Sequence, residues 1–300
     1  MFRVSLTALS FCMGLAHTVF AAVSPEQADR LGNELTPLGA EMGANADGSI
    51  PAWDPTMTPI PDNFVPGSSI YPNPYPDEKP LYTIDGDNWQ EHAELLSEGT
   101  QALLQKLGPD GFKLNVFPTK RSYEVPDWYY ANTKKNAVNA RLVADGQKIE
   151  GNLPGTPFPI PQSALEVLWN HMVRYAEPAI SESNVYYVSS NGKPILASTG
   201  ISAAIFPMYD HPDEEVGEKS WAKLRINYTV PARRAGEILL VHEPGADYTA
   251  GKGRKAWQYL TGQRRVRLAP AVAFDTPSPA VAGTHVGLEQ QTITAGVHGA

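Results

Sequence analysis

Residues 223–230 read Lys-Leu-Arg-Ile-Asn-Tyr-Thr-Val, a strict alternation with Leu224, Ile226, Tyr228 and Val230 on one side and Lys223, Arg225, Asn227 and Thr229 on the other. Successive side chains of a strand point to opposite faces, so this pattern demands an extended segment with one apolar face. A strand needs partners, and the chain supplies them. Val185-Tyr186-Tyr187-Val188 and Ile195-Leu196-Ala197 flank Asn191-Gly192, a hairpin signal. Apolar runs follow at 238–241, 257–260 and 266–268. Upstream, Phe112, Leu114 and Val116 alternate with polar residues, 123–130 is aromatic and strand-like, and 140–144 and 148 onward flank Asp145-Gly146. Short, turn-rich loops join these segments and make consecutive strands antiparallel neighbours. The expected fold is α+β, mainly β: a large antiparallel meander, apolar on one face and basic or polar on the other, with two helices to cover it.

The first of those helices is expected over 88–107, where Trp89, Ala93, Leu96, Thr100, Leu103 and Leu107 recur at helical steps and Gly108 is a stop. The second follows Pro157-Phe158-Pro159-Ile160-Pro161. Each X-Pro junction keeps the preceding residue out of helix, so this helix starts only at Gln162-Ser163 and is expected over 163–176. Leu165, Leu168, Trp169, Met172, Val173 and Ala176 form its stripe, whereas His171 sits off it with Val167, Arg174 and Tyr175. A short helix is also expected at Ser24-Pro25-Glu26-Gln27, with a serine cap, proline at the first position and glutamine closing the box. Residues 39–80 are thick with Pro, Gly, Asn and Asp among Trp53, Phe64, Tyr71 and Tyr75, which reads as extended coil laid over a surface.

The ends and the charge narrow the function. Met1-Phe2-Arg3, an apolar run over 4–20 and Val19-Phe20-Ala21-Ala22 have the pattern of a cleaved secretory signal, with an uncleaved anchor as the alternative. Leu9-Ser10-Phe11-Cys12 superficially resembles a lipoprotein cleavage box, but bulky Phe11 and the short apolar run before it argue against lipidation. The expectation is a soluble exported protein. Cys12 is the only cysteine and lies within the signal, so the exported chain would carry no disulfide, thiol nucleophile or thiolate metal ligand. The net charge of −8 disfavours nucleic acid and an anionic membrane surface as partners. His92, His171, His211 and His242 are scattered singly, and a catalytic or metal role for His171 would need company the spacing does not offer. The stretch around His171 therefore reads as a clasp that holds a helix against something apolar. Residues 210–215 are acidic but lack the spacing of a calcium loop. Arg233-Arg234 and Arg264, Arg265 and Arg267 read as exposed strand faces, with an anionic-headgroup site as the alternative. Gly251-Lys252-Gly253-Arg254 falls short of a phosphate loop, and no Gly-x-Ser-x-Gly elbow occurs.

Several stretches together resemble one family. They are Leu35-Thr36-Pro37-Leu38-Gly39-Ala40-Glu41, Gly48-Ser49-Ile50-Pro51-Ala52-Trp53, and the proline clasp with Trp169-Asn170-His171. Val230-Pro231-Ala232-Arg233-Arg234 and residues 256–267 complete the set. Their order resembles a Gram-negative family catalogued as domain of unknown function thirteen-twenty-nine, itself similar to the LolA/LolB lipoprotein-carrier superfamily. The resemblance implies an unclosed half-barrel whose apolar concave face is covered by helices and receives acyl chains. It also implies envelope traffic of lipids or hydrophobes beside resistance-nodulation-division-type exporters and an outer-membrane protein, with no cofactor and no catalytic residues to carry over. On that reading Leu165, Leu168, Trp169 and Met172 would line a hydrophobic cavity from the helix, and Leu224, Ile226 and Tyr228 from the sheet; the same residues also fit an ordinary core. The leading expectation is a periplasmic, non-enzymatic carrier of a lipid or acyl chain. A non-catalytic assembly component of an export complex and a hydrolase using His171 are the competing readings. The expected divisions are a signal at 1–22, a proline- and aromatic-rich segment at 23–82, the LolA-like sheet with its helices at 83–279 and an irregular tail at 280–300. Family members usually continue beyond Asp275-Thr276-Pro277 with further strands, and the small, polar tail reads as a truncated or frameshifted copy.

Overall fold

The computed structural model describes residues 22–55, 60–67, 72–189 and 191–269; the expected signal and tail lie outside the described residues, apart from Ala22. In chain order the elements are α1 (Pro25–Ala28), β1 (Tyr82–Ile84), α2 (Glu98–Leu107), β2 (Leu114–Val116), α3 (Asp127–Asn139), β3 (Arg141–Val143), β4 (Lys148–Glu150) and α4 (Ala164–Met172). Six longer-range strands follow: β5 (Ala179–Val188), β6 (Pro194–Ile205), β7 (Ser220–Val230), β8 (Ile238–Pro244), β9 (Lys255–Leu260) and β10 (Arg265–Leu268). Two compact units arise, one of Gly32–Pro126 and the other of the flanking segments. The boundary expected between 82 and 83 falls inside the first unit, within β1.

In the second unit β5 to β10 form one antiparallel meander in sequence order, and the sheet does not close. The hairpin at Asn191-Gly192 joins β5 to β6, with Ser189 N–H donating to Lys193 O at 3.0 Å. Register decides the faces, because directly paired residues project to the same side. Leu224 pairs with Val241, and Val241 with Ala256; Arg225 pairs with Leu240, and Leu240 with Trp257. One face therefore carries Leu224, Ile226 and Tyr228 with mostly small partners, while the large apolar residues of β8 and β9 share the face of Arg225. This corrects the expectation that β7 sorts the sheet into an apolar and a polar side. The run Ile238-Leu239-Leu240-Val241 is apolar on both faces, so the alternation of one strand could not assign its neighbours.

The earlier segments do not join this sheet, contrary to expectation. β1 pairs with β2 in the first unit, and β3 with β4 as a separate hairpin in the second. The aromatic stretch expected as a strand leads instead into α3. That helix has no apolar stripe; its buried face is Tyr129, Asn132, Thr133, Asn136 and Ala137, at helical spacing but largely polar. Asn136 Nδ2 donates to the carbonyls of Leu153 and Thr156 at 3.0 and 3.2 Å, and its Oδ1 accepts Leu153 N–H at 2.8 Å. Asn132 Nδ2 donates to Pro154 O at 3.0 Å and Pro212 O at 2.7 Å, and Thr133 Oγ1 accepts Thr156 N–H at 3.0 Å. Gly155 makes this approach possible: a Cβ there would stand 3.0 Å from Thr133 N and 3.1 Å from Asn136 Nδ2.

The strand β4 and the segments on either side of it hold the β6–β7 and β8–β9 connections. Ile149 N–H donates to Ala246 O at 2.7 Å, Tyr248 N–H to Gln147 O at 2.8 Å, and Val216 N–H to Asn152 O at 3.0 Å. The proline clasp then enters α4 where expected. Ser163 caps it by accepting Glu166 N–H at 3.3 Å, and the buried Glu166 carboxylate accepts Gln162 N–H. Asn170 grips the clasp on both sides, accepting Phe158 N–H at 2.9 Å and donating to Phe158 O at 2.6 Å. The helix stops at Met172, short of the expected Ala176, because Val173 leaves helical geometry. Trp169, Met172 and Val173 pack with Leu142 and Ile149 of the hairpin and with Phe158, Met208 and Val216 of the connecting segments. The expected covering helix thus seats on the small hairpin, where its stripe finds a ready apolar surface.

In the first unit the helix expected over 88–107 is broken. A 3₁₀ turn spans Trp89–Leu95, Leu96 is extended, and Ser97 restarts the helix as α2 by accepting Thr100 N–H at 3.2 Å. The restart also turns the stripe: Leu104 is buried and Leu103 exposed. The described residues of 39–80 form coil and turns without helix or named strand, pinned by Arg121, whose guanidinium donates to the carbonyls of Gly43, Pro51 and Glu41.

Asn136→Ala should lower stability in urea unfolding by about 3 kcal/mol, since it strands a buried N–H and two carbonyls. Lys134→Ala, which removes only an exposed ion pair with Asp29, should stay within about 0.5 kcal/mol.

Candidate functional site

The face of Arg225 carries a groove of about 470 Å³ across β7 to β10, lined by Arg225, Ile238, Leu240, His242, Trp257, Tyr259 and Val266. Strand pairing builds it in rows. Lys223, His242 and Lys255 form the first, Arg225, Leu240, Trp257 and Leu268 the second, and Asn227, Ile238, Tyr259 and Val266 the third. Its apolar walls stay open to solvent: Val266 and Leu268 are 62% and 61% exposed, and Ile201, in line with the third row on β6, is 39% exposed. Contiguous exposed apolar surface of this kind marks a binding site more often than scattered single residues do.

His242 and Trp257 meet edge-on, with ring centroids 4.8 Å apart at 64°. Partial burial, followed by the charges of Lys223 and Lys255, holds the imidazole below the ordinary histidine value. Among the described residues Lys223, Arg225 and Lys255 make no ion pair. A neighbouring polar hollow of about 340 Å³, lined in part by Glu218, Asp247 and Lys252, is the reverse case. There Lys252 pairs with Glu218 at 2.7 Å and Asp247 at 3.0 Å, so its charges answer one another. No group of three or more His, Cys, Asp or Glu side chains among the described residues is placed to hold a metal ion. No helix among them is long and apolar enough to cross a membrane.

The structure does not bring the sequence-predicted lining together. Trp169 and Met172 are buried in the hairpin core, with Leu165 packed against it and Leu168 half-buried on the same helix. Trp169 Nε1 also donates to Gly146 O at 2.8 Å, which ties the residue to the hairpin turn. Leu224, Ile226 and Tyr228 lie on the opposite face of the sheet from the groove; Tyr228 is buried under the Arg234 guanidinium, 3.8 Å from its ring centre. His171 is exposed at the end of α4. The residues that sequence reasoning missed, Trp257, Tyr259 and Leu240, carried one local signal: Trp257 and Tyr259 alternate with Ala256 and Gln258. What they face depends on cross-strand register, which that signal does not contain.

Fold and groove together describe an open antiparallel sheet protein with an apolar trough beside unpaired cations. The chain belongs to the family described as "Protein of unknown function (DUF1329)", whose profile matches residues 83–293. The family resemblance read from the motifs is thereby borne out. The chain is also similar to "Uncharacterized protein PA3922" of Pseudomonas aeruginosa, at 37% identity over 272 residues that cover 90% of this chain and 58% of that relative. The chain thus spans less than two thirds of that relative's length. No solved structure matches the chain.

Two outcomes test these placements. His171→Ala should change stability by no more than about 0.5 kcal/mol, as befits an exposed side chain. For His242 the folded-state value lies below the unfolded one, so its contribution is whole above about pH 6.5 and falls as acid protonates the unfolded chain first. Thermal unfolding should therefore lose less between about pH 7.5 and about pH 5 in His242→Gln than in the wild type.

Proposed function

We propose that the protein is a non-enzymatic carrier or chaperone that holds an acyl-chain-like hydrophobe in the groove of β7 to β10. The observation that carries this reading is the solvent-open apolar lining of Ile238, Leu240, Trp257, Tyr259 and Val266 on a rigid sheet. Its volume falls within the range of about 300–1,000 Å³ usual for small-molecule sites. Burial of a methylene is worth about 0.8 kcal/mol, so a dozen carbons half-covered by an open trough gain on the order of 5 kcal/mol before ordering costs. Such a site needs no reactive constellation, and none was apparent from the motifs. The exported address expected from the leading segment puts the carrier in the periplasm, where exporters of the resistance-nodulation-division type and an outer-membrane protein are the proposed partners. This reading likens the protein to a LolA-type carrier, an unclosed sheet that offers one face to an acyl chain, with the ligand on the Arg225 face.

The test is saturation binding of N-phenyl-1-naphthylamine, an uncharged probe, followed by energy transfer from tryptophan. Wild type should bind saturably, and Leu240→Lys should weaken binding at least about tenfold while unfolding stays cooperative, because Leu240 is only half-buried. Absence of saturable binding by the wild type, or equal binding by Leu240→Lys, would overturn the carrier reading.

A further inference from the structure

The groove is polarised. At one end the row Lys223, His242 and Lys255 crosses three strands, and Arg225 stands in the next row beside Leu240 and Trp257. Toward the other end Ile238, Tyr259 and Val266 bring no charge. The acid in line with these rows, Glu182, lies on β5 in the row of Ile201 and Asn227, two strands away from β7. Lys223, Arg225 and Lys255, which make no ion pair among the described residues, thus gather within two adjacent rows of one face, and the acid on that face lies two strands away. Lys223 and Lys255 flank His242 two strands apart and Arg225 stands two residues along β7, so their positive fields add at this end and favour an arriving anion.

We propose that this basic end is a headgroup seat and that the ligand is a long-chain fatty carboxylate. The proposal rests on the carrier reading above and adds the chemistry of the ligand's head. Arg225 is the permanently charged side chain that lines the groove, and a guanidinium offers a carboxylate two parallel hydrogen bonds. Lys223 and Lys255 stand in the flanking row and supply long-range attraction. His242 is held largely neutral beside them and can donate to the second carboxylate lone pair without adding charge. One fixed charge within the groove matches a monoanion better than a dianionic phosphate. The tail then crosses from β7 toward Val266 on β10, three interstrand steps or about 14 Å, with Trp257 and Tyr259 beneath it.

Binding of decanoate, decanol and decyl phosphate is compared by titration calorimetry on wild type, Arg225→Gln and Arg225→Lys. Wild type should bind decanoate at least about tenfold more tightly than decanol, and more tightly than decyl phosphate. Arg225→Gln should erase the advantage of the acid by bringing decanoate affinity down to that for decanol, and Arg225→Lys should restore part of it. Equal affinity for decanoate and decanol in the wild type would overturn the headgroup seat and leave the carrier reading intact. Preference for decyl phosphate would overturn the carboxylate assignment. Failure of all three to bind would overturn the proposal through the carrier reading on which it rests.

Discussion

The polar face of α3 is the interaction on which the rest of its unit depends. Asn132, Thr133 and Asn136 replace what would ordinarily be an apolar stripe, and they hold backbone groups of residues 153–156 and 212 instead of side chains. Buried backbone groups need partners, and a loop packed this deeply has no water to supply them. Three side chains meet that need for a whole segment. From this anchor the proline clasp runs into α4, and β4 and residue 152 reach the segments at 216 and 245–248 beside the sheet. The strands that line the groove, β8 and β9, are joined by the connection held there.

This arrangement divides the apolar residues between two jobs. Trp169, Met172, Val173 and Phe158 are consumed in a close-packed cluster around the β3–β4 hairpin. Once they are buried there, α4 cannot roof the groove face of the large sheet, and the apolar row of Leu240, Trp257 and Leu268 stays open. A helix stripe and a sheet face look alike in composition. Their fates differ because the stripe has a partner nearby in sequence and the sheet face does not.

How much was legible follows the range of each interaction. Local signals held: the Ser24 capping box, the Asn191-Gly192 and Asp145-Gly146 turns, the proline entry into α4 and the alternation of β7 all form as read. The meander held too, since short turns leave few ways to pair consecutive strands. What failed needed tertiary knowledge. A helix with a polar buried face gives no hydrophobic period, so 127–139 passed unseen behind its aromatic start. The break at Leu96 turned on Ser97, a residue that favours the cap over the helix interior and here accepts Thr100 N–H to restart the helix. Leu224, Ile226 and Tyr228 lie on the face opposite the groove, and the alternation of β7 alone does not say which side of its neighbours is apolar. β8 is apolar on both sides, and only register shows that Leu240 sits with Arg225.

The same register explains why a basic residue belongs in an apolar trough. On β7 alone, Lys223 and Arg225 read as the solvated edge of a half-buried strand, and for an isolated strand that reading is sound. Paired with β8 and β9, they become the polar rim of a surface whose body is Leu240, Trp257 and Tyr259. A purely apolar trough would take any hydrophobe and would invite other sheets to stack on it. Unpaired cations at one end penalise both outcomes, because a neutral occupant or a second sheet leaves them desolvated without a counter-charge. On the proposed carrier reading, an amphiphile with an anionic head escapes that penalty, with selectivity set by the charges and affinity by the apolar floor.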